Sequence, residues 1–148
     1  MKHLMKFEKS SSSLLMYFYK QGKFEKVKSL IESGVVDLNE QDGTGDTVLI
    51  CASIANNIDI VKLLIKYGAD INIQNESQET ALIWSTINKH IKIMKMLIEA
   101  GADWNIKDDS GKDFLDYLKD NQKLTIIKLY PEQYKEYLIG KDADKYNL

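Results

Sequence analysis

Gly68-Ala69-Asp70-Ile71-Asn72 returns as Gly101-Ala102-Asp103-Trp104-Asn105, 33 positions later (101 − 68). The landmarks upstream of each copy keep the same interval: Thr47 and Thr80 (80 − 47), Leu49 and Leu82 (82 − 49), Leu64 and Leu97 (97 − 64). A fixed period that holds across a whole unit is the signature of stacked repeats, in which each unit buries its apolar face against its neighbour. It also limits what the residues reveal, because a repeat carries scaffold chemistry and names no ligand.

Within each unit the pattern is turn, short helix, loop, second helix. Asp42-Gly43-Thr44-Gly45-Asp46 has tight-turn composition, and Thr47 is placed to cap a helix running to about Ala55. A second helix from Asp59 to Tyr67 puts Ile60, Val61, Leu64 and Ile65 on one face, and Gly68 ends it. The next unit repeats this from Asn75, with Thr80 as cap, a helix to about Asn88 and a second over Lys92 to Ala100. Ala52-Ser53 and Ser85-Thr86 keep the first helices small where neighbours meet.

The flanks carry weaker versions. Leu14, Leu15 and Phe18, then Phe24, Val27, Leu30 and Ile31, form a helix pair around Gly22 and stop at Gly34, with the serine run Ser10 to Ser13 as a cap. One inserted residue before Asp37 makes the spacing there 34 (Val61 − Val27). A fourth unit starts at Asp108 with Phe114, Leu115 and Leu118 on its first helix, and continues with a second helix over Leu124 to Tyr130. Pro131 opens a last helix, with Tyr134, Tyr137 and Leu138 on one face and Gly140 as its terminator, and 141–148 loosely held.

The 148-residue chain is 44% hydrophobic, enough for one continuous core, and its net charge of −2 exerts no general pull on nucleic acid or anionic membrane. All 20 basic residues are lysine, so the bidentate fork suited to phosphates and base edges is missing. Cys51 is the only cysteine, which rules out an intrachain disulfide and argues against a thiol-ligated zinc site. No apolar run reaches membrane-spanning length, and the N-terminus lacks a signal-peptide pattern. The expectation is a cytoplasmic, monomeric chain without cofactor, metal, nucleic-acid or membrane partner.

Taken together, Thr47-Val48-Leu49-Ile50, Thr80-Ala81-Leu82-Ile83 and the two Gly-Ala-Asp endings resemble the ankyrin repeat. The resemblance covers about residues 14 to 130. It implies an all-α ankyrin-repeat solenoid of stacked helix-turn-helix units with projecting β-turn or hairpin tips. The expected divisions are an N-terminal extension (1–13), a capping unit (14–41), two regular units (42–74 and 75–107), a degenerate cap (108–130) and a C-terminal helix and tail (131–148). In the family the first helices and tips form a concave face that usually binds other proteins. This sequence departs from the pattern in lacking the motif proline and in placing Ile50 and Ile83 where histidine is usual, so the family's threonine–histidine link between units is unavailable. Lys89 aligns with Gly22 and Asn56, where positive φ is expected.

Several stretches invite a catalytic reading and fail it. Asp42-Gly43-Thr44-Gly45-Asp46-Thr47 has the look of a phosphate loop but lacks partner motifs, and as a calcium loop it ends on Ser53 instead of a bidentate glutamate. His3, His90 and Cys51 have no companions that would make a metal site or a nucleophile. Asp70 and Asp103 recur as unit residues able to bond local amides. Lys26, Lys28, Lys62, Lys66, Lys92 and Lys95 fall on second helices and read as a solvated face.

Binding positions are sought instead at tips and groove. The register positions Gly43, Glu76, Asp109; Thr44, Ser77, Ser110; and Asp46, Glu79, Lys112 are the variable ones across units and lie at the tips. Tyr17, Cys51, Trp84 and Tyr117 share one first-helix register, so three rings could either anchor a partner or pad the contacts between units. The expected partner-binding set is therefore Tyr17, Thr44, Asp46, Glu76, Ser77, Glu79, Trp84, Asp109, Lys112 and Tyr117. Acid at the first two tips suggests a basic partner segment. The competing expectation is a structural subunit whose aromatic stripe closes a homo-oligomer.

Overall fold

The computed structural model describes residues 11–146, and places helices α1 (Ser11–Lys20), α2 (Phe24–Ser33), α3 (Val48–Ile54), α4 (Ile58–Lys66), α5 (Ala81–Ile87), α6 (Ile91–Glu99), α7 (Asp120–Leu129) and α8 (Pro131–Tyr146), with a 3-10 turn over Phe114–Tyr117. There is no strand among the described residues, so the tips are turns without a ladder. His3 and the start of the serine cap lie outside the described residues.

Local chemistry builds each unit. The Thr47 hydroxyl accepts the Ile50 N–H at 3.2 Å and Thr80 does the same for Ile83 at 3.3 Å, opening α3 and α5. Asn56 (φ 56°) and Lys89 (φ 59°) reverse the chain after these helices, as Gly22 (φ 68°) does after α1. In each case the next N–H bonds back five residues: Lys23 to Phe18, Asn57 to Ala52 and His90 to Ser85, at 2.8–3.0 Å. The second helices close on Gly68 and Gly101, where Ala69 and Ala102 donate to Leu64 and Leu97 in the left-handed terminator that glycine favours.

First helices stack on first helices (α3 on α5, α5 on the 3-10 turn) and second on second (α2, α4, α6). Ala52, Ser53, Ser85 and Thr86 are buried in the first row, small enough to let it close. Ile60, Val61, Leu64, Ile93, Met94 and Leu97 fill the space between rows, each at most 1% exposed and contributing roughly 2 kcal/mol by burial.

Polar side chains replace the missing histidine link. Asn39 Oδ1 accepts the Asp70 N–H at 2.8 Å and Asn72 Oδ1 accepts that of Asp103 at 2.9 Å. Gln41 Nε2 donates to the Gln74 carbonyl and Gln74 Nε2 to that of Lys107. The expectation for Asp70 and Asp103 holds: each accepts the N–H two residues on, from Asn72 and Asn105. His90 Nδ1 lies 2.8 Å from the Ser53 carbonyl, so this nitrogen carries the proton and ties two units.

The C-terminal region departs from expectation in three ways. The first helix of the fourth unit is only a 3-10 turn, with Leu118 at its end and still buried, and α7 begins at Asp120 with Leu124 exposed. Gly140 does not terminate α8, which runs on to Tyr146. A Cβ at Gly140 would stand 2.6 Å from Asn105 Oδ1, so glycine is there for a close approach and its helix cost, about 1 kcal/mol, is the lesser effect. Leu138, expected beside Tyr134 and Tyr137, is exposed instead. Tyr137 is buried, with Trp104 and Phe114 forming the aromatic floor beneath it.

Candidate functional site

Each tip is organised by one side chain. Asp42 Oδ1 accepts the N–H groups of Thr44 and Asp46, both at 3.0 Å. Asn75 Oδ1 does the same for Ser77 (3.0 Å) and Glu79 (2.9 Å), and Asp108 Oδ1 for Ser110 (2.8 Å) and Lys112 (3.1 Å). Asp42, Asn75 and Asp108 stand 33 apart, so their role was readable from the period although only the variable positions around them were singled out.

Backbone bonds then join the tips. Glu76 N–H donates to the Thr44 carbonyl and Asp109 N–H to that of Ser77, each at 3.1 Å. Gly45, with φ 77°, sits against this seam: a Cβ there would meet Glu76 N at 2.7 Å. The row is thus continuous from Asp42 to Lys112, with Thr44, Glu76, Ser77, Asp109 and Lys112 exposed.

Asp46 and Glu79 meet on a shared donor. Asn75 Nδ2 donates to Asp46 Oδ1 at 3.0 Å and lies 3.4 Å from Glu79 Oε2. Burial, and then the nearby carboxylates of Asp108, Asp46 and Asp109, raise the Glu79 carboxyl above its ordinary value. Lysines of the chain occupy both ends. Lys20 Nζ is 2.6 Å from Asp42 Oδ2, and Lys112 Nζ lies 5.3 Å over the Tyr117 ring. At Asp42, burial works against ionisation but is outweighed by Lys20, the Thr44 hydroxyl and the turn amides, which hold the carboxyl well below the usual range.

The rings are spaced apart. Tyr17 is 53% exposed, and its edge contact is with Phe18 at 5.4 Å. Trp84 and Tyr117 are half-buried, and no ring contact joins Tyr17, Trp84 and Tyr117 among the described residues. The Tyr117 hydroxyl donates to Asp108 Oδ2, a bond that, with burial, pushes the phenol up to about 12. Trp84 Nε1 is buried with no acceptor among the described residues.

Burial, with Asp46 and Asp42 nearby, pushes the Cys51 thiol up to about 11, so it stays protonated at neutral pH. Its sulfur and the Asp42 and Asp46 oxygens lie within 4.8 Å, but Asp42 is committed to Lys20 and its own turn, which leaves a poor ligand set. No helix among the described residues is long and apolar enough to cross a membrane.

A family model for ankyrin repeats, in three copies, matches residues 15–108. No curated protein matches the chain.

Proposed function

Because the chain belongs to the ankyrin-repeat family, whose repeats generally form a protein-interaction module, we propose that it binds a partner protein non-covalently, without catalysis, as a cytoplasmic adaptor, inhibitor or regulatory scaffold. The observation that carries this reading is the bonded row of tips. Amides at Glu76 and Asp109 fix the spacing between neighbouring tips before any partner arrives, and a preorganised edge loses less entropy on binding.

The proposed contacts are Thr44, Asp46, Glu76, Ser77, Glu79, Asp109 and Lys112 at the tips, with Tyr17, Trp84 and Tyr117 beside them. Asp46 and Glu79 share an amide, and among the described residues no ion pair joins either carboxylate to a lysine, whereas Lys20 pairs with Asp42 at the opening end. Asp46 and Glu79 suit an extended partner segment rich in lysine or arginine, which would supply the missing positive charge.

Selection of a displayed peptide library on the immobilised chain tests this. Enriched peptides are expected to be basic, and Trp84→Ala and Tyr117→Ala to weaken the selected peptides about tenfold or more, as anchor truncations do. Enrichment without basic residues, together with unchanged affinity in both variants, would remove the proposal.

A further inference from the structure

Helix α8 has two faces, and the fold uses one of them. Tyr137 is part of the hydrophobic core and Tyr134 packs against it, so these rings hold α8 to the rest of the chain. Lys141 adds an ion pair to the buried Asp113 at 3.2 Å. On the opposite side Pro131, Lys135, Leu138, Ile139 and Asp142 recur at helical spacing, which lines them up as one stripe along the helix. All five are exposed, Leu138 at 43% and Ile139 at 63%. A single exposed apolar side chain is ordinary. What sets this pair apart is what flanks it.

Lys135 precedes Leu138 by 3 residues (138 − 135) and Asp142 follows Ile139 by 3 (142 − 139). The stripe therefore has an apolar centre with opposite charges at equal distances from it. Among the described residues no ion pair joins Lys135 or Asp142 to a partner. Laid against a second copy running the other way, about a two-fold axis between Leu138 and Ile139, the stripe is complementary to itself. Leu138 then meets Leu138 and Ile139 meets Ile139, while each Lys135 faces Asp142 of the second copy. Two copies running in the same direction in register would set lysine on lysine and aspartate on aspartate. The charges thus select the antiparallel arrangement, as they do between paired helices generally.

We propose that this outer face of α8 docks a second copy of the chain in an antiparallel, isologous dimer. An isologous contact uses each stripe completely, so assembly stops at two. One helix face is small beside a standard interface, and the association is weak, with a Kd on the order of 100 μM. The stripe shares no residue with the row of tips, so each copy keeps its own row. Pairing then makes attachment to a partner with two or more sites bivalent. The dimer also differs, in the residues it uses, from an oligomer closed by Tyr17, Trp84 and Tyr117.

Sedimentation equilibrium of the full chain at concentrations up to about 1 mM is expected to show the mass rising from the monomer value to twice that value and no further. Ile139→Lys is expected to abolish the dimer without lowering the melting temperature measured in dilute solution. Lys135→Glu and Asp142→Lys each bring like charges together twice in every dimer, and each is expected to weaken association at least tenfold. Mixed in equal amounts, those two variants complement each other and are expected to pair about as tightly as the unsubstituted chain. Five results would each overturn the proposal: a monomer at every concentration, growth beyond two copies, a dimer that survives Ile139→Lys, a dimer lost with Trp84→Ala, or no recovery on mixing. A lower melting temperature for dilute Ile139→Lys would do the same, because it would show that this face is already used within the chain.

Discussion

Lys89 holds φ 59° at a position where its register partner in the first unit is Gly22. A side chain with a Cβ there costs about 1 kcal/mol over glycine. Lys89 is exposed and only its backbone is used, through its N–H to Thr86 and its carbonyl to Ile91, so nothing offsets that cost. Lys89→Gly is therefore expected to raise the melting temperature by about 3 °C; a scan showing a lower value would contradict the loop geometry. Glu79 permits a signed prediction of pH dependence. Its carboxyl is raised in the fold, so its contribution to stability is full below the ordinary carboxyl range and is lost as pH rises through the folded value. Glu79→Gln should accordingly melt higher than the unsubstituted chain at pH 7 and equally in acid. Asp42→Asn should do the reverse, melting lower at neutral pH, because that carboxyl is held below its ordinary value and loses its contribution only as pH falls. Melting curves of the two variants between acid and neutral pH check both signs.

Elements were legible where their causes are local and periodic. Thr47 and Thr80 announce helix starts, Gly68 and Gly101 announce stops, and the apolar spacing of Ile60, Val61 and Leu64 names the inward face; all of this follows from residues within one turn of each other. The C-terminal elements obey distant causes. Gly140 reads as a terminator by local rules, yet it serves a contact with Asn105 on a loop 35 positions earlier (140 − 105). Asp113 breaks the threonine register visibly, but nothing near it says that Tyr137 and Lys141 will reach it. At the tips, the period located Asp46 and Glu79, while their meeting on Asn75 depends on how adjacent units dock. Tyr137→Phe tests the attachment of α8. It leaves the buried Asp113 one donor short and is expected to cost about 1–2 kcal/mol, read as a lower denaturant midpoint. A midpoint equal to that of the unsubstituted chain would mean that the hydroxyl contributes nothing.

Across the whole molecule, one row of tips is bonded edge to edge and carries carboxylates, of which Asp42 is paired with Lys20 and Asp108 is bonded by the Tyr117 hydroxyl. That distribution gives the chain a local negative site despite a net charge of only −2. Steering by such a site depends on ionic strength, whereas contacts with half-buried rings such as Trp84 do not. The most direct measurement is the affinity of the Asp46→Lys, Glu79→Lys double variant for a selected basic peptide, titrated over a range of salt. Binding is expected to fall at least tenfold at low salt, and its dependence on salt to shrink or reverse sign. Affinity and salt slope both equal to those of the unsubstituted chain would contradict partner recognition at the tips.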